Sequence, residues 1–277
     1  MLNTIALFSH LAAALGFAAL GVALLFRRDF NTLKLSVGIA SFLTAGWAAY
    51  RAILFRYDIG GVGLLTQMET VRTAAWIAVL LMLQRRTWGL DQRPSSAFAV
   101  ALALGFIIAL QLALGATFDL PVFLRPLGQQ PLLLLFVALR LAVAISGLVL
   151  LHNLYINARS ADDLSFRLLA VGLGLIFAYD LNLYTLHFLL GHPNLSLGHF
   201  RGAVDALAVP LLAMAILREG PGRFQFSRQA AFNTVSFTMI GGYLILMSFL
   251  AYGLRLTGGN WGGLLQALFI AAALMLG

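Results

Sequence analysis

The chain contains no cysteine and few charged residues, with Asp, Glu, Lys and Arg making up 10% of its 277 residues. The lack of cysteine excludes disulfide bonds, cysteine-ligated metals and thiol catalysis. A typical soluble domain carries about 25% charged residues, because a protein of this size needs polar surface to cover its core. The scarcity of charge therefore argues against a soluble protein.

Long apolar runs dominate the sequence, and 61% of its residues are hydrophobic. A helix of about twenty apolar residues crosses the roughly 30 Å hydrocarbon core of a bilayer. Helices are expected because every backbone N–H and C=O must be satisfied within its segment, and the runs are too long for barrel strands. The nine runs lie at roughly 4–26, 35–55, 61–83, 97–118, 131–152, 167–190, 202–218, 231–253 and 261–277. The sequence thus predicts an all-α integral membrane protein, a nine-helix transmembrane bundle forming one multi-spanning domain over residues 1–277.

Basic residues alternate between the gaps that separate the nine predicted spans. The gaps after spans 1, 3, 5 and 7 hold eleven arginines and lysines, and the gaps after spans 2, 4, 6 and 8 hold four. Because basic residues concentrate in cytoplasmic loops, we expect the N-terminus outside and the C-terminus inside. The net charge of +8 follows this topology pattern and forms no basic stripe with interleaved aromatics, so nucleic acid is not an expected partner.

The two ends of the sequence carry further expectations. No basic region precedes the first apolar run, so we expect that run to be retained as a span and not cleaved as a signal peptide. Span 9 reaches Gly277 with no polar flanking residues to anchor it at the interface. We therefore expect the chain to be a piece of a longer protein, interrupted where it enters the cytoplasm.

Several ionisable or polar residues lie inside the predicted spans, where charge is costly and by default marks function. They fall in the outer halves of spans 2, 3, 5, 6 and 7, and the residue on span 2 is Arg51. The candidates for a ligand-sensing site are Glu69, Arg72, Arg140, Asp180, Tyr184, His187, Arg201 and Asp205.

Sequence spacing and depth predict how these candidates pair. The predicted pairs are Glu69–Arg72 and Arg201–Asp205, each on one helix face, and Arg140–Asp180 between spans 5 and 6. Two interpretations stay open. The residues form an outward-opening pocket for a small polar, anionic or lipid-headgroup-like ligand, or they are structural ion pairs that fix helix packing.

The histidines and short motifs do not indicate a metal or cofactor site. Of the five histidines, only His10 and His187 fall at comparable depths, which is weak support for a haem. The chain has neither the HExxH motif of zinc proteases nor the GxSxG motif of serine hydrolases. We expect no metal and no cofactor in this chain.

Two stretches of the second half resemble a known family. The first runs through His152-Asn-Leu-Tyr-Ile-Asn157 and Tyr179-Asp-Leu-Asn-Leu-Tyr184 into Arg201-Gly-Ala-Val-Asp205. The second joins Phe226-Ser-Arg-Gln229 to Gly258-Gly-Asn-Trp-Gly262. Together they are similar to the membrane-embedded N-terminal region of the sensor histidine kinases of the exosortase (PEP-CTERM) sorting system. The resemblance covers about residues 150–277.

The resemblance implies a transmembrane signal-sensing module in a bacterial inner membrane. In that family a GAF-type region and a kinase core follow the last span, and only the kinase binds ATP. The partners implied are membrane lipids, a second copy of the parent kinase and a response regulator. Neither cytoplasmic domain is present here, so what carries over is a set of family-like positions: Tyr179, Asp180, Tyr184, Arg201 and Asp205.

Two other classes of function remain open. One is a small transporter or flippase, although we find no inverted repeat of the kind many transporters show. The other is a membrane enzyme acting on lipid-linked substrates, with Asp180, His187 or Asp205 as the acid or base.

Overall fold

The computed structural model describes residues 2–27, 31–57, 62–87, 94–118, 129–157, 164–192 and 195–217. These ranges form seven α-helices and contain no strand. The helices are α1 (Leu2–Leu25), α2 (Thr32–Tyr57), α3 (Val62–Thr87), α4 (Pro94–Thr117), α5 (Gln129–Asn157), α6 (Leu164–Leu190) and α7 (Leu195–Leu217). They coincide with the first seven predicted spans, which confirms the all-helical prediction. The eighth and ninth predicted spans lie outside the described residues.

Six of the seven helices are long and apolar enough to cross a membrane. The exception is α3, which has 26 residues but includes Gln67, Glu69, Arg72 and Gln84. Six such helices in one bundle indicate a multi-pass membrane protein. The more polar α3 therefore requires partners for its charged side chains inside the bundle.

Local sequence signals account for several helix ends. The side-chain oxygen of Asn31 accepts a hydrogen bond from the Lys34 backbone N–H at 3.0 Å, which caps the start of α2. Gly191 has a φ of 73°, the left-handed conformation that terminates α6. In contrast, α7 begins at Leu195 and not at residue 202 as predicted. Arg201 therefore lies almost two turns inside α7, and not at its opening.

The helices form a ring of six with one helix outside it. In order around the ring, α1 packs on α2, α2 on α3, α3 on α5, α5 on α6, α6 on α7, and α7 on α1. Among the described helices, α4 packs at the edge of the ring, mainly against α3 and α5. Consecutive helices run antiparallel, and a hydrogen bond of 3.0 Å between His199 and Asn3 joins the beginnings of α7 and α1. Side chains of six helices thus converge inside the ring.

The distribution of polarity is the reverse of that in a soluble protein. Phe26 and Phe106 are 84% and 70% exposed on the outside of the bundle, whereas Arg72 is 1% exposed inside it. Exposed aromatic and aliphatic side chains suit hydrocarbon, while charged side chains require internal partners. This arrangement supports a membrane location independently of helix length.

The ring has an apolar half and a polar half. Where α1, α3, α5 and α7 end and α2 and α6 begin, buried side chains such as Leu24, Leu33, Leu83, Leu154 and Phe166 form a continuous hydrophobic core. The buried arginines and carboxylates lie at the other half, toward the beginnings of α3, α5 and α7, whereas buried Lys34 lies at the beginning of α2. The arginines and carboxylates that the sequence singles out thus share one half of the ring.

Candidate functional site: a buried ion-pair network

A network of three arginines and three carboxylates fills the polar half of the ring. Each of the six is at most 8% exposed. Helix α3 contributes Glu69 and Arg72, α5 contributes Arg140, α6 contributes Asp180, and α7 contributes Arg201 and Asp205, with Tyr184 of α6 among them. The three positive and three negative charges balance. Buried charge is tolerated in this way because each ion has a partner of opposite sign.

Glu69 joins four helices. Its Oε2 lies 2.6 Å from Arg140 Nη1, and its Oε1 is ion-paired with Arg201. The Tyr184 hydroxyl donates to the same Oε1 at 2.5 Å and accepts hydrogen bonds of 3.1 Å from Arg140 and Arg201. Arg140 also donates to the backbone carbonyl of Thr66 at 2.9 Å. One carboxylate therefore holds α3 to α5, α6 and α7 at once.

Asp180 connects the second part of the network to the first. Its Oδ1 lies 2.6 Å from Arg201 Nη2, and its Oδ2 lies 3.5 Å from Arg72 Nη2. Arg72 Nη1 in turn lies 2.8 Å from Asp205 Oδ2. The result is an unbroken chain of opposite charges from Arg140 to Asp205. A change at one end alters the charge balance experienced by every other member.

Aromatic rings cover the guanidinium groups of the network. Trp47 of α2 lies 4.3 Å from Arg72 and 4.9 Å from Arg201, measured from ring centroid to guanidinium carbon. Phe136 of α5 lies 4.6 Å from Arg140 in the same manner. Such contacts stabilise desolvated cations by about 2 kcal/mol or more. Trp47 was not predicted as a site residue because its place in an apolar span gives no charge signal.

The three predicted ion pairs are wrong in their partners. Arg72 is paired with Asp205 and Asp180 in place of Glu69. Arg201 is paired with Glu69 and Asp180 in place of Asp205, and Arg140 is paired with Glu69 in place of Asp180. For two of the three pairs, the prediction considered residues three or four apart on one helix. In the structure several helices offer opposite charges, so two charged side chains on the same helix each pair with a residue on another helix.

His187 is the one predicted site residue that the network does not include. It lies near the end of α6, is partly buried, and its Nε2 has no hydrogen-bond partner. Asp180 and Tyr184 of the same predicted stripe point into the network, whereas His187 lies beyond it. The predicted stripe on α6 is about two turns long, which is longer than the layer of charged side chains inside the ring. His187, at the end of the stripe, therefore lies outside that layer.

A small cavity adjoins the network between α3, α4, α5 and α6. Its volume is about 10 Å³, roughly the space that one water molecule requires. Its polar lining comes from Glu69, Thr70, Thr73, Gln111, Arg140, Asp180 and Tyr184. In this state the cavity accommodates a water molecule and no larger ligand. Ligand binding at the network thus remains a prediction, and it requires helices to separate.

The chemistry available at this site is that of charge pairing. Asp180 and Asp205, the predicted acid or base of an enzyme, are each held by an arginine, and the predicted third candidate His187 is elsewhere. Among the described ranges no three His, Asp or Glu side chains are close enough together to hold a metal ion. In such an arrangement, a change in the charge of one member would change how the helices pack.

Comparison of the chain with protein-family models, with curated proteins and with solved structures gave no match.

Proposed function

We propose that the chain is the transmembrane signal-sensing module of a bacterial two-component histidine kinase that regulates exopolysaccharide synthesis and PEP-CTERM protein sorting. Its place would be the inner membrane, with the N-terminus outside, nine spans, and a cytoplasmic GAF-like region and kinase following. The parent protein would act as a dimer and pass its phosphoryl group to a response regulator. The module itself has no catalytic role.

The observation that carries the proposal is the coincidence of the family-like residues with the buried network. The stretches that resemble the exosortase-system kinases include Asp180, Tyr184, Arg201 and Asp205. These four residues are members of the charge network. Tyr179, the fifth, donates a 2.7 Å hydrogen bond to the Leu197 carbonyl and thereby ties α6 to α7. The resemblance and the geometry thus select the same residues by independent routes.

The network also offers a physical mechanism for sensing. A signal shifts a conformational equilibrium only if it interacts differently with the two states. Glu69, Arg140 and Arg201 join helices on opposite sides of the ring, so a ligand that replaces one ion pair favours a different helix packing. Span 9, predicted at residues 261–277, would transmit that change to the kinase.

The proposal is tested first on the gene. We expect the coding sequence beyond the Gly277 codon to continue into a GAF-like region and a kinase core. We also expect a green fluorescent protein fused after Gly277 to fluoresce in the cytoplasm, and alkaline phosphatase fused there to be inactive. A stop codon shortly after Gly277 in the natural gene favours the transporter or the enzyme, and an active phosphatase fusion overturns the sensor proposal.

Autophosphorylation of the full-length product in inverted membrane vesicles tests the role of the network. The double variant Glu69→Gln/Arg140→Gln removes one pair and keeps the remaining charges balanced. We expect it to change the rate of labelling from ATP by at least threefold, about 0.7 kcal/mol, relative to the wild type. Phe106→Ala, on the lipid-facing side of α4, is the matched control and is expected to leave the rate unchanged. An unchanged rate in the double variant would contradict a sensing role for the network.

A further inference from the structure

Arg51 of α2 differs from the network arginines because none of the three described carboxylates, Glu69, Asp180 and Asp205, is its ion-pair partner. It is partly buried, one turn beyond Trp47 on the same helix. Within the described ranges no Asp or Glu lies within ion-pair distance of its guanidinium, whose recorded contact is with the Phe55 ring at 5.1 Å. A partly desolvated cation in a membrane bundle ordinarily has a counter-charge. Arg51 therefore presents a cationic group with no acidic partner in the part of the chain that the structure describes.

The charges of the polar half support the same conclusion. Counting only described residues, this half holds four at least partly buried arginines, Arg51 with the three of the network, against three buried carboxylates. The network's own pairs account for all three carboxylates. The excess positive charge is thus located at Arg51, between α2 and the beginning of α7.

The guanidinium of Arg51 lies over the ring of Phe55. Phe55, which lies under it, also contacts the rings of His10 at 5.3 Å and His199 at 5.0 Å. On another side, a Cβ at Gly198 would lie 3.4 Å from Arg51 Nη2. The guanidinium therefore lies next to the first turn of α7, where the helix dipole is positive. A guanidinium with no acidic partner has N–H groups suited to the paired oxygens of a phosphate.

The depth of Arg51 matches that of a lipid headgroup. It lies six residues before the end of α2 at Tyr57, about 9 Å along the helix axis at ~1.5 Å per residue. Arginine side chains at this depth extend to the interface.

We propose that Arg51 is the centre of a binding site for a phosphate-type oxyanion at the end of the bundle where α2 ends and α1 and α7 begin. The oxyanion is carried by a lipid headgroup or is free phosphate, since both present the same paired oxygens. The site is separate from the charge network, and it exists whether or not a kinase follows this chain. Bound anion would balance the excess charge and hold α2 against α7.

The test compares thermal unfolding in nanodiscs of different composition. Wild-type protein in nanodiscs of digalactosyldiacylglycerol, a lipid without phosphate, is measured alone, with added inorganic phosphate, and with a fraction of the lipid replaced by phosphatidic acid. We expect phosphatidic acid or inorganic phosphate to raise the melting temperature. Stabilisation by the lipid alone assigns a headgroup, and stabilisation by inorganic phosphate assigns a free anion. No stabilisation by either overturns the proposal.

Arg51→Gln and Arg56→Gln form a matched pair of variants. Both remove one positive charge from the same end of α2, but Arg56 is exposed and lies over Tyr57. We expect Arg56→Gln to keep the stabilisation and Arg51→Gln to lose it, with affinity lowered at least about tenfold because a charge-assisted hydrogen-bonded contact is removed. Equal stabilisation of both variants contradicts the proposal.

Arg51→Lys separates specific binding from misfolding if Arg51→Gln does not fold. Lysine keeps the charge but not the paired N–H groups. We expect this variant to fold and to retain fewer phosphatidic acid molecules in native mass spectrometry than Arg56→Gln. Equal lipid retention by Arg51→Lys and Arg56→Gln would show that the lipid is not held by the paired N–H groups of Arg51. That result would overturn the proposed site.

Discussion

Helices α3 and α4 are neighbours of similar length with opposite character. Helix α4 is almost entirely apolar and exposes Phe98, Leu102 and Phe106 outside the ring. Helix α3 is not among the six helices that are apolar enough to cross a membrane, yet Arg72 and Trp76 on it are each 1% exposed. Hydropathy thus reports how much of a helix faces lipid, and not whether the helix belongs to the bundle.

The difference arises from what surrounds each helix. Helix α3 packs on α2, α4 and α5, and its charged side chains reach α6 and α7. Among the described helices, α4 packs mainly against α3 and α5, with two hydrogen bonds from glutamine side chains to backbone carbonyls, Gln67 to Leu112 and Gln111 to Leu139. In the described part of the chain, α3 is therefore held by charged partners on several helices, whereas α4 is held by few polar contacts.

Arg72→Met is expected to have the largest effect, because it removes the ion partner of Asp205 from the centre of α3. Leaving one buried charge unpaired costs about 3–5 kcal/mol of unfolding free energy. The measurement is reversible unfolding in mixed micelles with increasing SDS. The double variant Arg72→Met/Asp205→Leu removes both charges and is expected to recover about half of the loss or more. A double variant less stable than the single one would refute the charge argument for α3.

Gly202→Ala comes next and compares the ring with α4. A Cβ at Gly202 would lie 2.6 Å from the backbone N of His10, so α1 and α7 must move apart. Overpacking of this kind costs about 1–3 kcal/mol. The control is Gly105→Ala on α4, where no atom lies within 4 Å of the added methyl group. SDS unfolding should show Gly105→Ala to be neutral or slightly stabilising. Equal losses at the two glycines would mean that the ring is no more tightly packed than α4.

Gln111→Leu tests the attachment of α4. The side-chain amide of Gln111 donates to the Leu139 carbonyl of α5 at 3.0 Å. Interhelical hydrogen bonds in membranes contribute about 0.6 kcal/mol on average, so the overall loss of stability should be small. Hydrogen exchange should nevertheless increase in α4 and remain unchanged in α1 and α2. Increased exchange across the whole bundle would show that α4 is part of the same cooperative unit as the ring.

Phe106→Ala is expected to have the smallest effect. Phe106 is 70% exposed, so its ring contacts lipid in both the folded and the unfolded state. The change in unfolding free energy should stay within about 0.5 kcal/mol. Its counterpart on the ring is Phe177→Ala on α6, where the side chain is 1% exposed and truncation costs about 3–5 kcal/mol. A large loss from Phe106→Ala would place that side chain against protein and not against lipid.

The sequence predicted which charged residues form the candidate site, but it did not predict which of them form ion pairs with each other. Glu69, Arg72, Arg140, Asp180, Arg201 and Asp205 stand out in the sequence because charge is rare within apolar runs. Their partners do not, since each arginine has carboxylates on several helices within possible reach. Trp47 carries no sequence signal at all, and its contact with two guanidinium groups depends on how α2 packs. His187 was selected by helical spacing but lies beyond the charged layer.

The amino-acid sequence by itself determined the helical class, the first seven segments and the half of the bundle in which charge collects. Length, apolarity and the need to satisfy the backbone inside each segment are properties of single stretches of chain, and they can be read one stretch at a time. Only the tertiary structure decided that α4 lies outside a ring of six, that α3 is sheltered within it, and that Glu69 and Asp180 bridge the arginines. Those features depend on distances between residues far apart in the chain, because Coulombic attraction in a medium of low dielectric selects whichever opposite charge the packing brings nearest.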